Sequence, residues 1–176
     1  MGSLEGRVAL VTGSSRGIGE YMAKHFARAG AKVAIAARTV EVTDKRLPGT
    51  IHSVAEAIRS DGGEATAVQM NMRDPESITN GVAQAVEDLG SLDIIVNNAA
   101  ILVPGSLETV QDRHLDLIWQ IDLRGPLLLM KYGLPHLKEA GGGDIINISS
   151  VAGVFPGSGP YDTAPSRREG SFYGMV

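Results

Sequence analysis

The sequence predicts an α/β protein built on a doubly wound parallel sheet, the Rossmann fold. Two observations carry this prediction: short β-branched apolar runs alternate with longer stretches of helical period, and the runs are apolar on both faces. Such strands belong in a sheet covered on both sides, and right-handed crossovers then put ligands at the carboxyl ends of the strands. The 176 residues and 43% apolar content fit one domain with a substantial core.

Five predicted strands and four predicted helices account for most of the chain. The strands are predicted at residues 8–12, 32–36, 65–70, 92–97 and 144–149, where β-branched and apolar residues dominate. The helices are predicted at residues 18–29, 51–59, 75–89 and 110–140, and they end near Gly30, Gly62, Gly90 and Gly141. Residues 39–49 and 151–176, the latter rich in Gly, Pro and Ser, are predicted to be irregular.

Composition argues against several kinds of function. A formal net charge of −4 with scattered Lys and Arg offers no basic stripe for nucleic acid. The chain has no cysteine, which rules out a thiolate site and fits a reducing compartment, so we expect a cytoplasmic protein. The four histidines are too dispersed for a metal motif, and no segment is apolar for long enough to span a bilayer.

A glycine-rich turn between the first predicted strand and helix is predicted to bind phosphate. Its glycines allow a sharp turn close to a ligand, and the N–H groups and dipole of the following helix favour an anion. Because this glycine cluster follows a predicted strand and precedes a predicted helix, it indicates a phosphate site more specifically than glycines alone would. The predicted contacts are Gly13, Ser15, Arg16, Gly17, Ile18 and Gly19.

The residues after the second predicted strand favour NADP(H) over NAD(H). A dinucleotide fold reads the adenosine ribose there, and an acid would hydrogen-bond the free 2′-hydroxyl of NAD(H). This chain has Ala37 and then Arg38, whose planar guanidinium suits the 2′-phosphate of NADP(H). Arg16 in the glycine-rich turn provides a second cation.

Three motifs together resemble the short-chain dehydrogenase/reductase family. They are the TGxxxGxG turn at 12–19, the Asn97-Asn98-Ala99-Ala100 sequence and the Ile146-Asn147-Ile148-Ser149-Ser150 sequence. The segment Leu47-Pro48-Gly49-Thr50-Ile51 further resembles members described as hydroxysteroid-dehydrogenase-like. The resemblance implies an oxidoreductase that moves a hydride between the cofactor and a small carbonyl or alcohol substrate. It also implies cofactor contacts at Asn71, Met72, Asn98, Ala99 and Ala100.

The resemblance implies catalytic roles for Ser150, which hydrogen-bonds the substrate carbonyl, and for a tyrosine that exchanges the proton. Tyr173 is favoured over Tyr161, because Pro165 follows Tyr161 by four residues where the family has a lysine. A phenol has a pKa of about 10, so this lysine matters for acid–base work at neutral pH. Asp122 stands where the family usually has an asparagine that holds a proton-relay water.

The lysine position after Tyr173 falls just past Val176, so we expect a chain truncated after its fifth strand. Residues 1–176 are then one incomplete NAD(P)-binding domain, in which 151–176 form a substrate loop and the start of the catalytic helix. An alternative is a catalytically defective chain that binds only the dinucleotide or a partner subunit. The family's use of the long helix region in subunit contacts implies a homo-oligomer.

Overall fold

A five-stranded parallel sheet organises the part of the chain that the computed structural model describes, which is residues 2–42, 44–103 and 108–150. The strands are β1 (Val8–Thr12), β2 (Lys32–Ala37), β3 (Ala65–Gln69), β4 (Ile94–Asn97) and β5 (Asp144–Asn147). Their order in the sheet is β3-β2-β1-β4-β5, and every neighbouring pair is parallel. The order reverses between β1 and β4, which confirms the doubly wound prediction.

Helices cover both faces of the sheet. They are α1 (Gly17–Arg28), α2 (Ile51–Ser60), α3 (Pro75–Leu89), α4 (Asp112–Ile118) and α5 (Gly125–Glu139), with a π-helical segment, Trp119–Arg124, between the last two. Alternate residues of each strand point to opposite faces, so Leu10 packs in the core beside α3 and α5, whereas Val11 packs beside α1 and α2. Within the described residues, no helix combines the length and apolar character needed to cross a membrane.

The predicted helix ends are confirmed. Gly30, Gly62, Gly90 and Gly141 all have positive φ, at 99°, 87°, 91° and 87°. Glycine adopts this left-handed conformation without the steric cost of a Cβ atom, so it ends each helix and turns the chain toward the next strand.

Strand β5 is shorter than the predicted 144–149. The Ile148 N–H still donates to the Asn97 carbonyl over 2.9 Å, and pairing then ceases because β4 ends at Asn97. Strand β4 begins at Ile94 rather than at residue 92. Asp93, just before it, is bonded to β1 through its side chain as well as its backbone. The Asp93 N–H donates to the Val8 carbonyl and its carboxylate accepts from the Val8 N–H, each over 2.9 Å.

The predicted helix over 110–140 is helical from Asp112 to Glu139 but changes its hydrogen-bonding pattern in the middle. The Gly125 N–H donates to the carbonyl of Gln120, five residues back, which is the π pattern. Pro126 has no N–H and therefore cannot make the ordinary bond to residue 122. The wider turn places Asp122 within the π segment.

Candidate functional site

A cleft of about 270 Å³ lies where β1, β2, β3 and β4 end. It occupies the switch point between β1 and β4, where doubly wound sheets bind ligands. Of the predicted cofactor contacts, Gly13, Ser15, Arg16, Arg38, Asn71, Met72, Asn98, Ala99 and Ala100 line it. The other lining residues are Thr12, Ala36, Ala37, Thr39, Met70, Ile101 and Ile121. Gly17, Ile18 and Gly19 are not among the lining residues.

The glycine-rich turn is kept tight by contacts within the protein. Gly13 has φ +67°, and a Cβ atom there would lie 2.8 Å from the Cα atom of Ala99. A Cβ atom at Gly19 would lie 2.5 Å from the Gly13 carbonyl oxygen. Gly17 also has positive φ, at +59°, but its Cβ would meet nothing within 4 Å. Glycine is therefore required by close packing at 13 and 19 and by backbone conformation at 17.

The Thr12 hydroxyl locks the end of β1 to the loop after β4. Its Oγ1 donates to the Val96 carbonyl over 3.1 Å and accepts from the N–H groups of Asn98 and Ala99, each over 3.0 Å. The Asn98 side chain donates back to the Thr12 carbonyl over 2.8 Å. These bonds hold residues 98–101 against the glycine-rich turn and so form one wall of the cleft.

A second lock joins the turn to β2. The Ser14 hydroxyl donates to the Val11 carbonyl over 2.7 Å and accepts from the Ala36 N–H over 3.0 Å. It thereby fixes the place where Ala37 and Arg38 leave the sheet. Arg38 is exposed and faces the cleft together with the half-buried Arg16.

Arg16 is held by the segment that follows β2. Its Nη1 donates to the Leu47 carbonyl over 2.6 Å, and its Nη2 donates to the Thr39 hydroxyl over 2.9 Å. The two cations proposed from the sequence therefore meet at the same cleft, and one of them is anchored in place.

Asp122 is half-buried in the π segment. Its Oδ1 accepts from the Ile101 N–H over 2.9 Å, whereas its buried Oδ2 has no hydrogen-bond partner among the described residues. Burial raises the pKa of the Asp122 carboxyl above its usual range, and the hydrogen bond from Ile101 opposes this effect. The bond from Ile101 ties the π segment to the loop that carries Ala99 and Ala100.

Ser150 follows β5 on the carboxyl-end side of the sheet, the side on which the cleft lies. Beneath it, the Asn97 side chain donates to the Asn147 side chain over 2.8 Å, which ties β4 to β5 at their shared end. Tyr161, Tyr173 and the predicted substrate loop at 151–176 lie outside the described residues.

Sequence reasoning missed several groups that build the cleft, notably Thr12, Thr39, the Leu47 carbonyl and the Ile101 N–H. Thr12 belongs to the glycine-rich motif, so its place at the cleft could have been predicted from the sequence. The contacts of Arg16 with Thr39 and Leu47 span 23 and 31 residues of sequence, and no periodicity or motif indicates them.

Comparisons with known proteins agree with this architecture. A family model described as short chain dehydrogenase matches residues 7–164. Hydroxysteroid dehydrogenase-like protein 2 of Bos taurus is 40% identical over 156 residues, which cover 88% of this chain and 37% of that protein. An uncharacterized oxidoreductase of Thermotoga maritima is 39% identical over 153 residues, which cover 86% of this chain and 57% of that protein. The chain thus spans less than two thirds of either relative.

Solved structures show the same fold. The crystal structure of a short chain dehydrogenase from Mycobacterium thermoresistibile gives a TM-score of 0.79 at 37% identity, with coverage of 84% of this chain and 52% of that chain. A putative short-chain alcohol dehydrogenase from Sinorhizobium meliloti also gives 0.79, at 34% identity, with coverage of 95% of this chain and 62% of that chain.

Proposed function

This chain belongs to the short-chain dehydrogenase/reductase family, and we propose that it is the cofactor-binding part of an oxidoreductase that uses NADP(H). The reaction is hydride transfer between the cofactor and a carbonyl or alcohol substrate. The observation that carries the proposal is the pairing of Arg16 and Arg38 at a cleft where Ala37 stands in place of an acid.

The described residues fit a phosphorylated dinucleotide. The cleft has no carboxylate among its described lining residues, so none of these side chains repels a 2′-phosphate. The close packing around Gly13 and Gly19 keeps the turn compact, and the N-terminus of a helix such as α1 favours an anion. We propose that Arg16 and Arg38 bind the 2′-phosphate, and that Gly13, Ser15, Gly17, Ile18 and Gly19 approach the diphosphate.

The remaining cofactor contacts lie at the ends of β3 and β4. We propose Asn71 and Met72 for the adenine end, and Asn98, Ala99 and Ala100 for the nicotinamide end. Asn71 provides both a hydrogen-bond donor and an acceptor, although the family often has an acid there. Ala100 stands where the family has glycine and is exposed, so its methyl group has room.

The proposed chemistry divides between cofactor and protein. When bound, the nicotinamide supplies or accepts the hydride. The Ser150 hydroxyl orients the substrate carbonyl by hydrogen bonding, and the Tyr173 phenol gives or takes the proton on the substrate oxygen. We propose that Asp122 takes part in the proton relay, at the position where the family usually has an asparagine that holds the relay water. An NADP(H) preference favours the reducing direction.

The test of cofactor choice is titration of the protein with NADPH and NADH in a calorimeter. We expect NADPH to bind at least about tenfold tighter, because charge-assisted bonds to the 2′-phosphate are strong. Arg38→Ala should reduce this preference, whereas the matched control Arg28→Ala, on α1 beside Asp61, should not. Equal affinities in the unmodified protein, or a preference for NADH, would contradict the proposal.

Turnover is tested with a panel of aldehydes and ketones by following NADPH oxidation. Tyr173→Phe and Ser150→Ala should each lower kcat by about 10²- to 10⁴-fold, the range of a positioned acid–base group, with NADPH affinity kept. Turnover unchanged in Tyr173→Phe would assign the proton transfer to another group, of which Tyr161 is the first candidate.

We also propose that residues 1–176 belong to one dinucleotide-binding domain, in which 151–176 supply the substrate loop and the start of the catalytic helix. The protein is proposed to act as a homo-oligomer. Support comes from a row of exposed apolar side chains along the π segment and α5, at Trp119, Leu123, Leu127 and Leu134.

A further inference from the structure

The Arg16 guanidinium is bonded to groups from outside the glycine-rich turn. The Thr39 hydroxyl and the Leu47 carbonyl each accept one of its N–H groups, over 2.9 and 2.6 Å. A guanidinium has five N–H donors. Three donors are therefore left for a ligand in the cleft, which Arg16 and Thr39 both line.

The segment that holds Arg16 is itself fixed at both ends. At one end the Thr39 carbonyl accepts from the Ile51 N–H over 3.0 Å, which joins the exit of β2 to the start of α2. At the other end Thr50 and Ser53 form a capping box, with bonds of 2.9 and 3.0 Å between side chain and backbone.

Near the start of α2, Gly49 lies directly against the glycine-rich turn. Gly49 has φ +107°, and a Cβ atom there would collide with the carbonyl oxygen of Ser15. Gly49 is thus close to Ser15, the residue next to Arg16, and the nearby Leu47 carbonyl accepts from the guanidinium. Thr39 and Leu47 therefore hold Arg16 from one side of the cleft.

We propose that Thr39 is a positioning residue for cofactor choice: with the Leu47 carbonyl, its hydroxyl holds the Arg16 guanidinium where the 2′-phosphate of NADP(H) binds. This inference rests on the proposed use of NADP(H). A long arginine side chain loses much rotational freedom when it binds a phosphate, and ordering it in advance lowers that cost. Discrimination between the two cofactors then depends on a side chain that acts through Arg16.

The test compares Thr39→Val, which keeps the shape and removes the hydroxyl, with Thr39→Ser, which keeps the hydroxyl. Dissociation constants for NADPH and NADH are measured on the full protein. We expect Thr39→Val to weaken NADPH binding by about five- to tenfold, the size of one ordinary lost hydrogen bond, and to leave NADH binding unchanged. Thr39→Ser should restore the NADPH affinity. If Thr39 had only a structural role, Thr39→Val would weaken the binding of NADPH and NADH alike, and that result would overturn the inference.

A double-mutant cycle separates action through Arg16 from direct contact with the phosphate. If Thr39 acts through Arg16, Thr39→Val should add no further loss of NADPH affinity in an Arg16→Ala background. Additive losses would show that Thr39 binds the phosphate itself and would overturn the inference. An NADPH affinity unchanged by Thr39→Val would also overturn it while leaving the proposed function intact. Equal affinities in the unmodified protein would remove the proposed function and the inference together.

Discussion

Gly13 combines a left-handed backbone conformation with close packing. Its φ of +67° disfavours any L side chain, and a Cβ atom would lie 2.8 Å from the backbone of Ala99. We expect Gly13→Ala to lower the free energy of unfolding by about 2–4 kcal/mol, since strain and a backbone clash combine. Denaturant unfolding measures this change.

Gly62→Ala is the matched control for Gly13→Ala. Gly62 has a similar φ of +87°, but its Cβ would meet nothing within 4 Å. It should cost only about 1–2 kcal/mol, the left-handed strain alone, and should leave cofactor binding unchanged. Equal losses from the two variants would show that the contact with Ala99 has no energetic weight.

Asp122 should make stability depend on pH. Burial raises its pKa in the folded state, so between the unfolded and the folded pKa values the folded protein binds more protons. The free energy of unfolding therefore falls as pH rises through that window, and the loss is complete above the folded pKa. Asp122→Asn carries no such charge. The variant should be more stable than the unmodified protein at pH 7, by about 0.5–1 kcal/mol because solvent screens a half-buried group.

The measurement for Asp122→Asn is the urea midpoint at pH 3.5, below the ordinary pKa of Asp at about 3.9, and at pH 7, with the exposed Asp116→Asn as control. The stability gap should widen toward pH 7 for position 122. A gap of the same size at both pH values would mean that the carboxyl charge is not the cause.

Residue identity allowed prediction of the glycines and of the two arginines, because each has a local reason in the motif around it. It could not predict the raised pKa of Asp122. That pKa depends on the burial of the carboxyl in the π turn and on the hydrogen bond from the Ile101 N–H in a separate loop. The anchoring of Arg16 is likewise invisible in sequence, because both partners lie on a segment without periodicity.

At the scale of elements, one buried carboxylate joins β1 to β4 at the end opposite the cleft. Asp93 accepts from the Val8 N–H and from the Ser91 hydroxyl, each over 2.9 Å, and Arg7 lies 3.5 Å from its other oxygen. Asp93→Ala would leave the buried Val8 N–H without this partner. We expect a loss of about 2–4 kcal/mol in the free energy of unfolding.

Asp144→Ala serves as the control for Asp93→Ala because Asp144 pairs with the same Arg7, over 2.8 Å, from an exposed position. Exposed pairs contribute about 0–1 kcal/mol. A loss at Asp144 as large as that at Asp93 would show that the Arg7 ion pair, rather than the backbone bond to Val8, supports the sheet.

Strands and helices could be predicted where the spacing of apolar residues agreed with the glycines that end the helices. All five strands and the helices on both faces of the sheet were found in this way. The π segment was not predicted. Its apolar spacing continues that of α4 and α5, and only Pro126, with no N–H to donate, marks the change. The end of β5 was misplaced because it depends on where its partner β4 stops, and pairing partners are not visible within one strand.

At the scale of the whole molecule, the π segment and α5 carry a row of exposed apolar side chains. Trp119, Leu123, Leu127 and Leu134 are 57, 46, 51 and 43% exposed. A stable interface buries about 800 Å² on each partner, and its core is rich in aromatic and apolar side chains. We expect the protein to form a homo-oligomer through this surface.

Leu127→Lys tests that interface without disturbing the core, because the side chain is already half exposed. In an oligomer the new ammonium would be buried without a partner, which costs several kcal/mol and favours the monomer. Tyr21→Lys, on α1 and 64% exposed, changes a similarly exposed apolar residue elsewhere and should leave the assembly intact. Sedimentation equilibrium gives the mass of each variant. If Leu127→Lys keeps the mass of the unmodified protein, or if that protein is itself monomeric, these side chains do not form the interface and their exposure needs another cause.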